Sequence, residues 1–254
     1  VINGTRIVRR LLDYRMSFIW SRRERLVSKR FDVIAVCSEN DRLYLGGSTR
    51  IQSIPNGFTP PSRTPKRIST TPVRLGFIGG CFYKPNREGV EWFIKCIWPL
   101  IKREVPDARL RLIGKESDRY FPGMGPDIDV FGYVDDPTDE IATWSAMIVP
   151  LRTGGGTRVK LPYAFSQKCP VVSTTFGAFG YEVRNEVELL LAGSVGGFAE
   201  ACLRVVRDPD LATRVSENAW RRLLQEWTWD VIGESVHNAI RTCMNGRARD
   251  QAIG

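Results

Sequence analysis

Histidine is nearly absent from this chain of 254 residues: His237 is the only one, and the six cysteines stand far apart with no Cys-x-x-Cys pair. Zinc sites draw their ligands from closely spaced cysteines and histidines, so this pattern argues against a metal centre and also against a disulfide framework. We therefore expect no metal, buried free thiols in a reducing compartment, and a structural or surface role for His237.

Long apolar runs are missing too. No uncharged apolar stretch approaches the roughly 18 residues that a membrane-spanning helix needs, and the first residues lack the pattern of a signal peptide. Hydrophobic residues make up 43% of the chain and charged residues 26%, which is ordinary for a globular protein. The length predicts between one and two domains, and we expect a cytoplasmic location.

Several common motifs of enzymes are absent. The chain contains neither G-x-G-x-x-G nor G-x-x-x-x-G-K-[ST], which removes the main support for a nicotinamide dehydrogenase or a P-loop nucleotidase. It also lacks G-x-S-x-G, and spacing brings no two carboxylates together. Serine hydrolases and paired-carboxylate hydrolases are therefore disfavoured.

Positive charge is concentrated at one end. The net charge is +9, but residues 1–30 hold nine Lys/Arg and two Asp/Glu, so the remainder is close to neutral. The near-neutral remainder argues against nucleic acid as a partner. A basic helix with apolar positions is predicted at 7–30, and two interpretations stay open: packing within a domain, or contact with an anionic membrane surface or partner.

The order of elements predicts an α/β protein. Residues 1–58 show helix, strand, helix and strand, with Ser38 as a helix cap, and resemble the end of an α/β unit. Residues 59–72 are rich in proline and are predicted to be a linker. From 73 to 230, strands and helices alternate as in a parallel sheet flanked by helices, and 231–254 form a C-terminal helix and tail.

The loop GGGTRVK at 154–160 follows an apolar strand and precedes a predicted helix. Open α/β sheets bind ligands at this edge, where glycines admit an anion and helix N–H groups point at it. Arg158 and Lys160 add charge that complements phosphate oxygens. The loop therefore predicts a diphosphate site, with a plain flexible turn as the alternative. Gly79-Gly80, at the end of another strand, is a second candidate for phosphate approach.

A series of motifs in order carries a family resemblance: IPNGF at 54–58, GFIGG at 76–80, PN at 85–86, EGV at 88–90, WF at 92–93, LIG at 112–114, FGYV at 131–134, VPL at 149–151, GGGTRVK at 154–160 and PVVST at 170–174. The series resembles the group 1 (family 4) retaining glycosyltransferases of the GT-B fold. The resemblance implies two Rossmann-like domains, of which 73–230 is the donor-binding one and 1–58 the remnant of the acceptor-side one. The chain then looks like a fragment or one half of a split enzyme.

The resemblance also implies roles for individual residues. Arg158 and Lys160 take the catalytic role, because they face the distal phosphate and the sugar. The implied donor-binding residues are Gly79, Gly80, Gly114, Phe131, Gly132, Tyr133, Val134, Gly154, Gly155, Gly156, Thr157 and Tyr163. Main-chain groups of residues 131–134 would read the nucleobase. No cofactor or metal is implied, because cations and helix dipoles stabilise the leaving diphosphate.

The sequence departs from the family pattern at several positions. Gly155 and Tyr163 stand where the family commonly has two glutamates, so the partner of the donor ribose is in question. Cys81 and Glu88 replace the usual Arg and Lys after the first glycine turn, and Pro162 lies close to the start of a helix, where proline is tolerated only in the first turn.

The leading hypothesis is a glycosyltransferase that moves a sugar from a nucleotide-diphosphate donor to a glycan or lipid-linked acceptor. The alternative is a non-catalytic module that retains nucleotide affinity.

Overall fold

The structure is a computed structural model that describes residues 2–27, 30–63 and 65–252. It contains two compact units. One is formed by the residues up to Pro55 together with those from Gly233 onward, and the other is Asn56–Ile232. None of the helices in these described stretches is both long and apolar enough to cross a membrane.

The smaller unit opens with four elements: α1 (Ile2–Val27), β1 (Ile34–Val36), α2 (Glu39–Tyr44) and β2 (Ile51–Ser53). The two strands pair in parallel. Ser38 caps α2 as predicted, since its Oγ accepts a hydrogen bond from the Asp41 N–H at 3.1 Å. The predicted order of helix, strand, helix and strand is confirmed, although α1 begins earlier than expected and residues 28 and 29 of the predicted helix lie outside the described residues.

The larger unit is built on a sheet of six strands: β3 (Arg74–Ile78), β4 (Arg109–Ile113), β5 (Ile128–Val130), β6 (Ala146–Val149), β7 (Val171–Ser173) and β8 (Leu190–Leu191). Their order is β5-β4-β3-β6-β7-β8, and every neighbouring pair is parallel. The chain winds outward in both directions from β3, which creates a crevice at the carboxyl ends of the central strands. The predicted Rossmann-like parallel sheet is therefore confirmed.

Helices connect and follow these strands: α3 (Lys84–Trp92), α4 (Trp98–Glu104), α5 (Ser117–Tyr120), α6 (Thr138–Ala142), α7 (Lys160–Ser166), α8 (Val195–Arg207), α9 (Pro209–Glu226) and α10 (Trp229–Ala252). A π-helical turn, Phe93–Ile97, separates α3 from α4. Pro99 lies in the first turn of α4, where its missing N–H is tolerated.

The sheet lies between two apolar clusters, because successive residues of a strand face opposite sides. One cluster joins strand residues to α3, the π turn and α8, and includes Leu75, Phe77, Leu110, Leu112, Val90, Phe93 and Phe198. The other joins strand residues to α7 and α9, and includes Ile113, Met147, Val149, Val171, Leu161, Phe165 and Leu223. Both faces of the sheet are thus covered by helices, and its carboxyl edge is left for a ligand.

The predicted linker, residues 59–72, belongs to the larger unit rather than bridging the two. The Ile68 N–H donates to the carbonyl of Ala142 at 2.9 Å, and Arg67 donates to the carbonyl of Ile141 at 2.7 Å. The proline-rich composition excluded a helix, but these long-range hydrogen bonds hold the segment against α6 and the turn after it. Likewise, α10 begins in the larger unit, and its residues from Gly233 onward belong to the smaller one.

The expectation of buried cysteines is wrong for half of them. All six are free thiols, but only Cys81, Cys169 and Cys202 are buried. Cys37 and Cys96 are exposed, and Cys243 is partly buried. Phe93 and Ile97 occupy the buried face of the π turn, so Cys96 in the same turn remains in contact with solvent.

Candidate functional site

The carboxyl ends of β3 and β4 bring together three of the predicted glycines, Gly79, Gly80 and Gly114. The Gly79 N–H donates to the carbonyl of Ile113 at 2.9 Å, and a Cβ on Gly114 would lie 2.1 Å from the carbonyl oxygen of Gly79. Gly79 and Gly114 have φ values of +155° and +148°, in the region that L side chains rarely adopt. Only glycine allows these two backbones to come so close.

Lys160 brings a positive charge to this glycine turn. Its Nζ lies 2.6 Å from the position that a Cβ on Gly79 would take, and 5.1 Å from the centroid of the Phe77 ring. Burial, and secondarily the positive charge of Arg158, lower the pKa of Lys160 from 10.5 to about 8. The two sequence motifs, at 79–80 and 154–160, therefore meet at one point of the molecule.

Arg158 is placed differently. Its side chain is buried, with 5% of the residue exposed, and its guanidinium donates to the carbonyls of Gly155 at 3.0 Å and Gly154 at 3.1 Å. The same group lies 5.0 Å from the centroid of the Phe176 ring. In this arrangement Arg158 holds the glycine loop in shape, which leaves Lys160 as the cation of the loop nearest to Gly79.

The glycine loop itself bends through left-handed backbone at Gly154 (φ +110°) and Gly156 (φ +77°). A Cβ on Gly154 would meet the Tyr83 hydroxyl at 2.7 Å, so the loop packs against the segment that enters α3. Thr157 Oγ1 accepts a hydrogen bond from the Asn56 side chain. Apart from the adjacent residues of the chain, no described atom lies within 4 Å of a Cβ built on Gly155 or Gly156, so the tip of the loop is open.

The predicted base-binding stretch lies at the end of β5. Gly132 has φ +68°, its carbonyl accepts from the Gly114 N–H at 2.7 Å, and its N–H donates to Ser117 Oγ at 3.1 Å. Phe131 and Tyr133 on either side are 41% and 61% exposed. Val134 is partly buried against the apolar cluster on the α7 side of the sheet. The Tyr133 ring lies 5.3 Å from the ammonium of Lys115, just after the end of β4, whereas the Phe131 ring lies 4.5 Å from the guanidinium of Arg111 within that strand.

Tyr163, which the resemblance sets in place of the second family glutamate, lies in the middle of α7. Its ring packs against Phe58 at a centroid distance of 6.3 Å. Burial, and then the negative charge of Asp136, raise the pKa of Tyr163 above its usual value. Pro162 lies in the first turn of α7, so the helix starts at Lys160 without disruption.

Asn86 was missed as a site residue by the sequence reasoning. It is 5% exposed, its Nδ2 donates to the Gly80 carbonyl at 2.9 Å, and its Oδ1 is buried with no hydrogen-bond partner among the described residues. The Pro85-Asn86 pair was recognised as part of a motif, but not for this contact. Asn86 ties the first turn of α3 to the glycine turn.

Other candidate chemistry is sparse. Within residues 2–27, 30–63 and 65–252, no group of three His, Cys, Asp or Glu side chains is placed to hold a metal ion. His237 is exposed on α10, with its Nδ1 3.0 Å from the Gly233 carbonyl.

Solved structures with the same architecture show the fold. The chain aligns with TarM of S. aureus at a TM-score of 0.71 and 15% identity, covering 84% of this chain and 44% of that one. It aligns with Anabaena HepE, solved in complex with UDP and glucose, at a TM-score of 0.67 and 15% identity, covering 87% of this chain and 66% of that one. The fold is that of the GT-B glycosyltransferases.

A family model described as "Glycosyl transferases group 1" matches residues 72–208, more than half of the chain. The chain therefore belongs to the group 1 glycosyltransferase family.

Two curated relatives are similar over much of the chain. A GDP-mannose-dependent monoacylated alpha-(1-6)-phosphatidylinositol monomannoside mannosyltransferase of Corynebacterium glutamicum is 26% identical, covering 78% of this chain and 58% of that protein. An uncharacterized 44.6 kDa protein in the cps region of Klebsiella pneumoniae is 22% identical, covering 63% of this chain and 44% of that protein. The chain thus spans about half the length of these relatives.

Proposed function

We propose that this chain forms the donor-binding part of a glycosyltransferase that transfers a sugar from a nucleoside-diphosphate sugar to a glycan or lipid-linked acceptor. The observation that carries the proposal is the position of the Lys160 ammonium group beside Gly79, where the glycine turn of β3 meets Gly114. The half-buried ammonium lacks an acidic partner in the described part of the chain, so its charge is available to a phosphate.

In this proposal the diphosphate is the leaving group. Negative charge develops on it as the bond to the sugar breaks, and a fixed cation with few competing waters stabilises that charge more strongly than bulk solvent does. Lys160 supplies the charge, and Arg158 keeps the glycine loop in the required shape. The scheme requires no metal ion. Retention of configuration follows from the resemblance to retaining members of the family.

The test is ligand-observed NMR and calorimetry with UDP, GDP, ADP and their sugars on the wild-type chain and on Lys160→Met. We expect at least one nucleoside diphosphate to bind, and Lys160→Met to weaken it by tenfold or more, since a charge-assisted hydrogen bond contributes about 1.5–3 kcal/mol. Lys95→Met is the matched control, because Lys95 is exposed and lies 4.0 Å from Glu91. Equal binding by wild type and Lys160→Met would contradict the assignment.

A second candidate function, nucleotide binding without transfer, is favoured by Tyr163. A phenol packed against Phe58 does not offer the two acceptor oxygens of a glutamate to a ribose. Under this candidate the complete protein, including any further acceptor-side residues, binds donor but neither transfers nor hydrolyses it. Detection of sugar release that is lost in Lys160→Met would eliminate this candidate.

We also propose that α1 contacts the anionic cytoplasmic face of a membrane. Tyr14, Phe18 and Trp20 on this helix are 83%, 63% and 53% exposed, beside a strongly basic sequence. Vesicles containing anionic lipid are expected to co-sediment with the wild-type chain, and less with a Phe18→Ser, Trp20→Ser double variant. Equal sedimentation of both would contradict contact through α1.

A further inference from the structure

Asp118, which no sequence motif singled out, lies against the glycine at the end of β5. A Cβ built on Gly132 would lie 3.3 Å from Asp118 Cγ, and 3.4 Å and 3.6 Å from its two carboxylate oxygens. Gly132 has φ +68°, so a side chain there would be strained as well as crowded. The carboxylate of Asp118 therefore lies against the backbone of Gly132. In the sequence, Gly132 stands between Phe131 and Tyr133, whose side chains are exposed.

The position of Asp118 is set by its buried neighbour Ser117, which is 1% exposed. The Ser117 N–H donates to the Gly114 carbonyl at 3.1 Å, and its Oγ accepts from the Gly132 N–H at 3.1 Å. The side chain of Asp118 itself is exposed and forms no hydrogen bond or ion pair within the described stretches. The bonds of Ser117 thus fix the backbone that carries Asp118, and its two acceptor oxygens are left for a ligand.

The distance between the glycine turn at Gly79 and the end of β5 suits a nucleoside. Gly79, Gly114 and Gly132 end three adjacent strands and contact each other in that order. Adjacent strands lie about 4.8 Å apart, so the end of β5 is on the order of 10 Å from the end of β3. A diphosphate at Gly79 therefore directs its ribose and base toward Gly132 and Asp118.

The chemistry of the carboxylate distinguishes among bases. An ionised carboxylate only accepts hydrogen bonds, and its two oxygens pair best with two parallel donors. Guanine presents such donors in its N1–H and its amino group. Uracil presents one N–H between two carbonyl oxygens, which the carboxylate repels, and adenine and cytosine place an acceptor nitrogen beside the amino group.

We propose that Asp118 determines the base of the donor and that this base is guanine. The proposal rests on the proposed function, in which the site holds a nucleoside-diphosphate sugar. The exposed ring of Tyr133, near the end of β4, provides a surface on which the base stacks, since any base can stack on an aromatic side chain.

Calorimetry with GDP, UDP, ADP, IDP and XDP on the wild-type chain and on Asp118→Asn tests the proposal. The wild type is expected to bind GDP most tightly, with IDP weaker because it lacks the amino group. Asp118→Asn is expected to lose roughly tenfold to a hundredfold in GDP affinity, the range for charge-assisted hydrogen bonds. It is expected to gain affinity for XDP, whose C2 carbonyl accepts from the new amide.

Glu116→Gln is the matched control. It removes the same charge two residues earlier, from an exposed side chain that pairs with Arg119 at 3.5 Å, and is expected to leave GDP affinity unchanged. If Lys160→Met still weakens binding, two results would overturn the assignment of guanine without overturning the proposed function. One is a wild-type preference for UDP or ADP. The other is a ratio of GDP to XDP affinity that is unchanged in Asp118→Asn. Failure of all five nucleotides to bind would overturn the proposed function as well.

Discussion

If the proposed diphosphate site is correct, we expect Lys160 to make diphosphate binding depend on pH. Burial and the nearby positive charge of Arg158 lower the pKa of Lys160 to about 8, compared with 10.5 for an ordinary lysine. A diphosphate in contact with the ammonium favours the protonated form, so the pKa rises again in the complex and binding takes up a proton above pH 8. Affinity is therefore highest below pH 8 and falls as the pH rises.

The size of the effect follows from the shift. One pKa unit corresponds to about 1.4 kcal/mol, so affinity is expected to fall by about tenfold per pH unit between pH 8 and pH 10. Isothermal titration at pH 7 and pH 9, in two buffers with different ionisation enthalpies, measures both the affinity and the proton uptake. The diphosphate is fully ionised across this range and contributes no slope of its own.

Two variants at the same position separate the contribution of Lys160 from other titrations. Lys160→Arg keeps its charge at every pH tested, so binding is expected to persist with little dependence on pH. Lys160→Met is expected to bind weakly and with little dependence on pH. If the wild-type slope persisted in Lys160→Met, another group would carry the titration, and the placement of this ammonium at the diphosphate would be refuted.

Three further predictions concern stability and reactivity. Gly114→Ala is expected to cost more than about 2 kcal/mol in urea unfolding, because its Cβ would lie 2.1 Å from a neighbouring carbonyl oxygen at φ +148°. Glu188→Gln is expected to cost about 3 kcal/mol near pH 7, since this carboxylate is 2% exposed and pairs with Arg184 at 2.8 Å and Arg222 at 3.2 Å. Burial raises the pKa of Glu188, but these hydrogen bonds outweigh burial and lower the pKa below 4.5. The wild-type protein is therefore expected to lose stability as the pH falls below that value, and Glu188→Gln is expected not to show this loss. Cys202 is expected to react with thiol reagents only after unfolding, because burial raises its pKa, whereas the exposed cysteines react in the native protein.

Local patterns predicted the strands well. Strands and helices alternate from 73 onward as predicted, and β3 and β4 each end next to a glycine with a positive φ. At the margin of the sheet β8 has two residues, compared with five in β3 and β4. Apolar residues near a strand end favour the strand, but pairing with the neighbouring strand decides where it stops.

The site was predicted in parts. Glycines and cations at strand ends indicated phosphate chemistry, and the motifs at 79–80 and 154–160 do meet at Lys160. The contacts of Asn86 and Asp118 were not predicted, because each depends on how close two strand ends come. The orientation of Arg158 toward its own loop was also beyond reach, since a buried guanidinium turns to whichever carbonyls surround it.

Alternating apolar strands and amphipathic helices, with glycine turns between them, are enough to predict an α/β fold from the amino-acid pattern. Which of those turns lie together depends on how the strands are ordered in space. Strand order places β3, β4 and β5 side by side, so that Gly79, Gly114 and Gly132 form one continuous edge between Lys160 and Asp118. Such an edge is made of contacts between residues far apart in the chain, and no local pattern encodes them.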